Sequence, residues 1–280
     1  MTIKRALLWT LFWIGIALLF NAGVYWFMGS EKALQFLGGY IIEKSLSIDN
    51  LFLFLMIFSS FGIPVHYQRR VLNYGIIGAI ILRLLFILLG AAVVNRFHWV
   101  LYVFGVLLVV SGIKMFSRKE EKNDYGDSFA LRALARIIPV SPALEGDRFF
   151  VRKDRVLYAT PLLAVLAVVE ASDIVFAIDS IPAIFSITTD TFIVFTSNVL
   201  AILGLRSMYF VLEKLHQLFR FVQYGVALIL TLTGVKLLIL MFHIEVPIVL
   251  SVTVIFAILA VSILASLFCR EKLPVSKESP

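Results

Sequence analysis

Long apolar stretches, separated by polar breaks, dominate the hydropathy pattern of the chain. A helix that spans a membrane needs about 20 predominantly apolar residues, and on that template the sequence predicts eight spans. The first apolar run, from Ala6 to Met28, is too long for the apolar region of a signal peptide, so we expect a retained helix. The predicted spans are 6–28, 34–61, 71–94, 97–116, 157–184, 191–211, 221–242 and 246–268.

The composition places the chain among membrane proteins. Of its 280 residues, 61% are hydrophobic and 15% are charged, whereas soluble globular domains are about half apolar and a quarter charged. The formal net charge is +7, but the excess Lys and Arg lie in loops and tails, so it does not indicate nucleic-acid binding. The one cysteine, Cys269, argues against a disulfide framework, a thiolate metal site and a paired-thiol redox centre. We therefore predict an all-α, polytopic membrane protein.

Basic residues outside the predicted spans are distributed unevenly. Lys32 and Arg96 lie on one side of the membrane, and those of both termini, the linker 117–156 and the connections after spans 2 and 6 lie on the other. Because cytoplasmic loops carry the excess of Lys and Arg, we expect a multi-pass protein with both termini in the cytoplasm. Within the linker, Arg132 and Arg136 share one face of "ALRALARIIPV", which predicts a short amphipathic helix on the membrane surface.

The two halves of the chain carry the same polar pattern. In "EKSLSIDN" (43–50) and in "DIVFAIDS" (173–180), an acid is followed six residues later by the aspartate of Ile-Asp-Asn or Ile-Asp-Ser. An arginine inside a span and a short Gly-Lys motif follow each copy: Arg83 with "SGIKM" (111–115), and Arg206 with "TGVKL" (233–237). Because each copy covers three spans, an odd number, the second enters the membrane from the opposite side. The sequence therefore predicts inverted repeats, as in many secondary transporters.

The repeats divide the chain into five parts. Equivalent residues of inverted repeats meet near the membrane midplane, and we expect the first and last spans to pack at the periphery. The predicted parts are an N-terminal peripheral helix (1–33), repeat 1 (34–116), a charged cytoplasmic linker (117–156), repeat 2 (157–242), and a last helix with a cytoplasmic tail (243–280).

Five carboxylates lie inside the predicted spans. A charged side chain at the bilayer centre costs about 2.5–3.5 kcal/mol, so these acids need partners. Arg83 and Arg206 are structural partners for two of the five, which leaves three negative charges unbalanced. A divalent cation with a proton would balance them, whereas a purely structural network would not. The acids are Glu43, Asp49, Glu170, Asp173 and Asp179.

Convergence of these acids requires distorted helices. Residues six apart on a helix differ by about 240° in direction, so Glu43 and Asp49 reach one site only if the helix deviates. Pro182 cannot donate to the carbonyl four residues earlier, and we expect an unwound segment there. Ser45 and Ser47 are expected to bond back to carbonyls and bend the second span. Unwound segments with carboxylates and free carbonyls coordinate cations in transporters.

The predicted ligands are hard oxygen donors. Asn50, Ser180 and Asn198 add amide and hydroxyl oxygens to the carboxylates, and such a set suits Mn²⁺, Mg²⁺ or Ca²⁺. The four histidines lie in loops or at span ends, which argues against a zinc or copper site. We expect a transported ion and no prosthetic group. Glu170 has no counterpart in the first repeat, where Tyr40 stands, so it is the candidate for ion selectivity or proton coupling.

Four stretches of the chain together resemble the TerC family of membrane proteins, and within it the Alx-type bacterial members. They are "EKSLSIDNLFLFLMIFSSFGIP", "QRRVLNYGIIGAIILR", "VEASDIVFAIDSIPAIF" and "TSNVLAILGLRSMYF". That family is named for tellurite resistance, is placed in the LysE-like transporter superfamily, and includes Mn²⁺ exporters. The resemblance therefore implies manganese export, with the family's acidic motif residues at Glu43, Asp49, Glu170, Asp173 and Asp179, beside Asn50 and Ser180.

Three functions remain open from the sequence. An exporter would bind Mn²⁺ at the midplane carboxylates and release it after the repeats rock; proton antiport is compatible, since a carboxylate pair holds either a proton or a metal. A non-transporting scaffold in tellurite or metal stress would use the charged linker. An intramembrane aspartyl protease needs two facing aspartates, fewer acids than are present, and its GxGD element is absent from the sequence. We expect no enzymatic activity; the predicted partners are the ion and the lipid bilayer, and the oligomeric state is left open.

Overall fold

The structure is a computed structural model that describes residues 3–117, 129–141, 144–153, 156–215, 221–242, 244 and 246–268. Helices make up most of these ranges, and one short hairpin lies between the fourth and fifth helix. The helices are α1 (Ile3–Ser60), α2 (Val65–Arg96), α3 (Val100–Ser117), α4 (Phe129–Ile137), α5 (Pro161–Phe185), α6 (Thr191–Leu203), α7 (Leu205–Leu215), α8 (Val222–Ile239), followed by a 3-10 turn at Leu240–Phe242, and α9 (Ile248–Phe268).

Helix α1 contains both of the first two predicted spans. It has 58 residues, and its backbone leaves the helical conformation at Gly29, where φ is 90° and ψ is 174°. A positive φ is costly for residues with a Cβ and favours glycine. Gly29 therefore separates the spans predicted at 6–28 and 34–61, and the second half of α1 carries Glu43 and Asn50 into the interior.

The helix break in the second half of the chain lies between α6 and α7, not in α5. Helix α5 continues through Pro182 to Phe185, so the expectation of an unwound segment beside Pro182 is wrong. A proline removes one backbone hydrogen bond but keeps a helical φ, and Pro182 is buried among its neighbours. The span predicted at 191–211 is instead divided at Gly204, where α6 and α7 are bent by 41°.

Five helices of the described residues are long and apolar enough to cross a membrane, and the bent pair α6–α7 makes a sixth if it is one span. Helix α1 counts once among the five although it holds two predicted spans, and α3 is apolar but shorter. The chain is thus a mainly helical, polytopic membrane protein. The number of eight spans and the inverted repeats stay predictions.

The described part of the linker contains a helix and a hairpin. Helix α4 lies where the amphipathic helix was predicted and ends at Ile137. Strands β1 (Phe150–Lys153) and β2 (Val156–Ala159) pair in antiparallel register. This strand pair is a short exception within a fold that is otherwise consistent with the all-α expectation; the apolar residues of "FFV" and "VLYA" favour strands there.

The helices pack around two buried apolar clusters. Helix α1 packs against α5, α6 and α7, α2 against α5 and α6, α3 along α8, and α9 against α1 and α8. Glycines let α3 and α8 approach closely: a Cβ on Gly112 would lie 2.7 Å from the carbonyl oxygen of Ala227, and one on Gly234 would lie 2.6 Å from that of Gly105. Small residues at such crossings bring the two backbones together.

Candidate cation site

Arg83 of α2 lies at the centre of a buried polar cluster. Its Nη1 donates hydrogen bonds to Glu43 Oε2 at 2.5 Å, to Ser180 Oγ at 2.9 Å and to Asn198 Oδ1 at 2.7 Å. Oxygens from α1, α5 and α6 therefore converge on one nitrogen. The side chains of Arg83 and Glu43 are 3% and 0% exposed, so this ion pair is shielded from its surroundings.

Two serines of α1 support the cluster from the same helix as Glu43. Ser47, one turn later, donates to Glu43 Oε1 at 3.4 Å. Ser45 donates to the carbonyl oxygen of Ile41 at 2.7 Å, which confirms the predicted bond back to the helix backbone. For Ser47 the prediction is wrong, because the carboxylate of Glu43 takes its hydroxyl instead. Buried charges persist when their oxygens are hydrogen-bonded in this way.

Two further predicted acids lie one turn apart on α5, next to the Arg83 cluster. Asp173 is 6% exposed and interacts electrostatically with Arg83 and Glu43, while Glu170 interacts with Asp173. The carboxyl group of Glu170 lies against the backbone of Gly78 on α2, so close that a Cβ there would overlap it. The sequence analysis missed Gly78; the close spacing of Gly75 and Gly78 within an apolar helix was the available signal.

The other predicted ligands have different surroundings. Asp179 Oδ1 accepts a hydrogen bond of 2.7 Å from Ser111 Oγ of α3, and Asn50 is buried at 3% exposure. Asp49 belongs to α1, but its side chain lies outside the described residues. The structure thus brings Glu43, Ser180 and Asn198 onto Arg83, with Asp173 and Glu170 beside them, and directs Asp179 towards α3.

The cations inside the predicted spans differ from the expectation. Arg206, in the first turn of α7, is exposed and donates to Asn73 Oδ1 at 2.7 Å rather than to an acid. Lys44 is a further span cation, which the sequence analysis did not count although it adjoins Glu43. Its Nζ donates to the carbonyl oxygen of Ala201 at 3.0 Å, near the C-terminal end of α6, where the helix dipole favours a positive charge.

The predicted metal ligands do not form a preassembled metal centre within the described chain. Among the described residues, no three His, Cys, Asp or Glu side chains are placed to hold a metal ion. The side chain of Asp49 is not among these described residues, and several of the predicted oxygens are hydrogen-bonded to Arg83. The metal-binding role of Glu43, Asp49, Asn50, Glu170, Asp173 and Asp179 therefore stays a prediction.

A small crevice of about 10 Å³, enough for about one water molecule, lies between α1, α2, α5 and α7. It lies in the half of these helices nearest the α1–α2 connection, and Asp173 and Arg206 line it together. Most of its other walls are apolar, among them Phe54, Ile76 and Val169. Both charged residues are described, and no ion pair joins them, because Arg206 is turned to Asn73.

A polar pocket lies between the part of α1 that follows the break at Gly29 and the C-terminal end of α5. Lys32, Gln35, Thr188 and Asp190 line it. Lys32 Nζ lies 2.5 Å from Asp190 Oδ2, and Thr188 Oγ1 donates to Gln35 Oε1 at 2.8 Å. These contacts tie the second half of α1 to the α5–α6 connection.

Asp190 also caps the N-terminus of α6. Its side chain accepts hydrogen bonds from the amides of Phe192 and Ile193, a common role for aspartate at this position. Burial on its own raises the pKa of the Asp190 carboxyl, but the hydrogen bond from Lys32 and those from the amides bring this pKa below its ordinary value.

The chain matches known proteins along most of its length. The sequence model of the family described as "Integral membrane protein TerC family" matches residues 28–273. The protein named "Putative membrane-bound redox modulator Alx" of Escherichia coli (strain K12) is 46% identical over 270 residues, which cover 94% of this chain and 84% of that protein. "Uncharacterized membrane protein STKORF319" of Myxococcus xanthus is 46% identical over 273 residues, which cover 98% and 85%. No solved structure matches the chain. The motifs, the helical membrane fold and these matches agree: the chain belongs to the TerC family of integral membrane proteins.

Proposed function

We propose that this chain is a transporter of the bacterial inner membrane that exports a divalent cation, with Mn²⁺ as its substrate. The observation that carries the proposal is the buried convergence of Glu43, Ser180 and Asn198 on Arg83, with Asp173 beside them. Buried ionisable groups in membrane proteins mark ion pathways more often than they serve packing. The proposal includes no enzymatic step.

The charges around Arg83 favour a cationic substrate. Glu43, Asp173 and Glu170 lie on or near one guanidinium, and Lys44 is engaged at the end of α6. Lys44 still interacts electrostatically with Glu43, so three carboxylates stand against two cations and the cluster keeps one excess negative charge. A cationic substrate would offset this charge, and carboxylate, hydroxyl and amide oxygens are the ligands that Mn²⁺, Mg²⁺ and Ca²⁺ prefer.

The crossing of α3 and α8 supports the inverted repeats. The repeated Gly-Lys motifs make Gly112 equivalent to Gly234, and the same offset makes Gly105 equivalent to Ala227. Gly112 contacts Ala227, and Gly234 contacts Gly105, so each contact maps onto the other when the two repeats are exchanged. A pseudo-two-fold axis through this crossing has that property, as expected for eight spans with two inverted three-helix units.

The topology and coupling of the proposed transporter follow from charge. The basic linker and termini favour a cytoplasmic position for both chain ends, and with that orientation the crevice lined by Asp173 and Arg206 would face the cytoplasm. Mn²⁺ would enter from that side, bind the carboxylates and leave at the side of the Lys32–Asp190 pocket. Proton antiport fits, because a carboxylate that releases the ion can accept a proton.

A second candidate is a non-transporting scaffold, and the contacts of the described part of the linker favour it. The Arg70 guanidinium of α2 pairs with Asp147 of the linker and lies 5.2 Å from the ring centroid of Phe149. Helix α4 also packs against α5. Deletion of the linker would abolish a scaffold's function but only modulate transport.

Growth under manganese stress tests the proposal. In a manganese-sensitive bacterial strain, the wild-type chain should restore growth, and Glu43→Gln or Asp173→Asn should remove that tolerance at equal protein levels in the membrane. Asp147→Asn is the matched control, because its side chain is 63% exposed in the linker. Full tolerance in both site variants would refute the proposal.

A further inference from the structure

The two arginines that the repeats make equivalent have unlike environments. Arg83 is buried and bonded to Glu43 at 2.5 Å, whereas Arg206 is exposed and bonded to Asn73. Under the same equivalence Glu43 corresponds to Asp173. The partner that repeat symmetry assigns to Arg206 is therefore Asp173, and these two side chains do not form an ion pair in this structure.

The walls of the crevice have a closed counterpart in the other repeat. The positions of Val169 and Asp173 correspond to Gly39 and Glu43, and Phe54 corresponds to Ile184. On the Arg206 side these positions border a crevice.

On the Arg83 side the equivalent positions are packed shut. A Cβ on Gly39 would lie 2.8 Å from Ser197 Oγ and 3.3 Å from Ile184 Cγ2. Arg83 bonds across the same place to Glu43 and Asn198. The Arg206 side is packed less tightly: a Cβ on Gly75, which corresponds to Asn198, would lie 3.4 Å from Val169 Cγ1, an ordinary van der Waals contact. The two sides thus differ in how tightly they pack and in whether the arginine is paired with an acid.

We propose that Arg83 and Arg206 act as alternate gates, so that closing one ion pair accompanies opening the other. In the opposite state Arg206 pairs with Asp173 and closes the crevice, while Arg83 leaves Glu43 and opens the path towards the Lys32–Asp190 pocket. This inference rests on the inverted repeats of the proposed function, and it gives both arginines positioning roles in transport. Two packings related by pseudo-symmetry supply the bistable element that alternating access requires.

Cysteine accessibility distinguishes the two states without any substrate. In a Cys269→Ser background, which removes the one native cysteine, a reporter at Ile76 lies in the crevice, and a reporter at Val199 occupies the equivalent position on the closed side. N-ethylmaleimide, a thiol reagent, should label Ile76→Cys faster than Val199→Cys in membranes. That order reports the state described here.

Loss of the closed pair should reverse the order. Arg83→Gln is expected to slow labelling of Ile76→Cys and to speed labelling of Val199→Cys, each about tenfold, as the population shifts. Glu43→Gln removes the same pair from its other end and should act alike. Because loss of either partner leaves a buried charge, labelling is compared only in variants that thermal unfolding shows to be folded. Arg206→Gln should leave the labelling of Ile76→Cys fast. Combined with Arg83→Gln, it should reduce the change in labelling rates that Arg83→Gln causes alone. Arg206→Lys, which keeps the charge, should be labelled like the wild type.

The result that would overturn the gate is a shift in the same direction for Arg83→Gln and Arg206→Gln, or unchanged labelling in folded protein for Arg83→Gln and Glu43→Gln. Because no metal is added, the outcome is separate from the proposed substrate. If labelling reverses but no cation is transported, the gate proposal is supported and the export proposal is contradicted. If cations are transported but the labelling rates do not change in the variants, the export proposal is supported and the gate proposal is contradicted.

Discussion

Arg83 and Glu43 form an ion pair across 2.5 Å between α2 and α1, and neither side chain is more than 3% exposed. A buried pair of this kind contributes little net stability, but loss of one partner leaves an uncompensated charge. The arginine also holds Ser180 and Asn198 from the second half of the chain. The pair therefore connects stability with the position of the candidate cation ligands.

Removal of one partner should therefore destabilise the protein strongly. Arg83→Ala is expected to lower the free energy of unfolding by about 3–5 kcal/mol, and Arg83→Ala combined with Glu43→Gln should recover much of that loss. Thermal unfolding of the detergent-solubilised protein measures both. Arg206→Ala, at an exposed site, should cost less than about 1 kcal/mol; equal losses for the two arginines would contradict the assignment.

Gly78 should control the position of the Glu170 carboxyl group. A Cβ on Gly78 overlaps the end of this flexible side chain and no fixed backbone atom is among its nearest neighbours, so Gly78→Ala should fold normally but move Glu170 and reduce transport. Because the effect acts through Glu170, Gly78→Ala in a Glu170→Ala background should cause no further loss. Manganese tolerance of the three variants tests this, and additive losses would exclude the contact as the cause.

The α3–α8 crossing should be sensitive at both of its equivalent glycines. Alanine at Gly112 or at Gly234 would meet a backbone carbonyl of the facing helix, and overpacking of this kind costs about 1–3 kcal/mol. Pseudo-symmetry predicts similar losses of thermal stability at the two positions. Gly23→Ala is the control, because nothing lies within 4 Å of the added Cβ; a loss confined to one glycine would count against the symmetric crossing.

Asp190 should give the protein a specific sensitivity to acid. Its native pKa lies below the ordinary value, so its stabilising contribution is present above the unfolded pKa of about 3.9 and is lost as pH falls through the native pKa. Asn can still cap α6 but carries no charge. Asp190→Asn should therefore lower the free energy of unfolding near pH 7 by less than about 1 kcal/mol, and stability should then fall less steeply as the pH is lowered into the acid range. Asp190→Ala should in addition lose the N-terminal cap of α6. Identical acid limbs for wild type and Asp190→Asn would contradict this role.

The hydrophobic pattern and the repeated acids predict a large part of the architecture. Length and hydropathy locate most of the membrane helices. Glu43 and Asp173, which were expected to lie close together, interact electrostatically although 130 positions separate them. Both inferences depend on residue type and spacing, which the sequence states directly. The hairpin Phe150–Ala159 is absent from that prediction because its short strands interrupt a charged linker.

Features that depend on tertiary contacts could not be predicted in the same way. The proline rule placed a helix break at Pro182, whereas packing keeps α5 helical there and the bend occurs at Gly204. Lys44 and Gly78 belong to the site because they contact residues of other helices, Ala201 and Glu170 respectively. Local sequence does not specify these partners.

Flux of Mn²⁺ through the purified chain tests the central claim most directly. Inside-out vesicles that contain the wild-type protein should take up Mn²⁺ saturably and faster than Ca²⁺ or Mg²⁺. If protons are exchanged, uptake should be faster when the vesicle interior is more acidic than the outside. Asp173→Asn should reduce this uptake to the level of empty vesicles, while Asp147→Asn should leave it unchanged. Uptake no greater than that of empty vesicles for the wild type, or equal uptake for wild type and Asp173→Asn, would contradict export through this site.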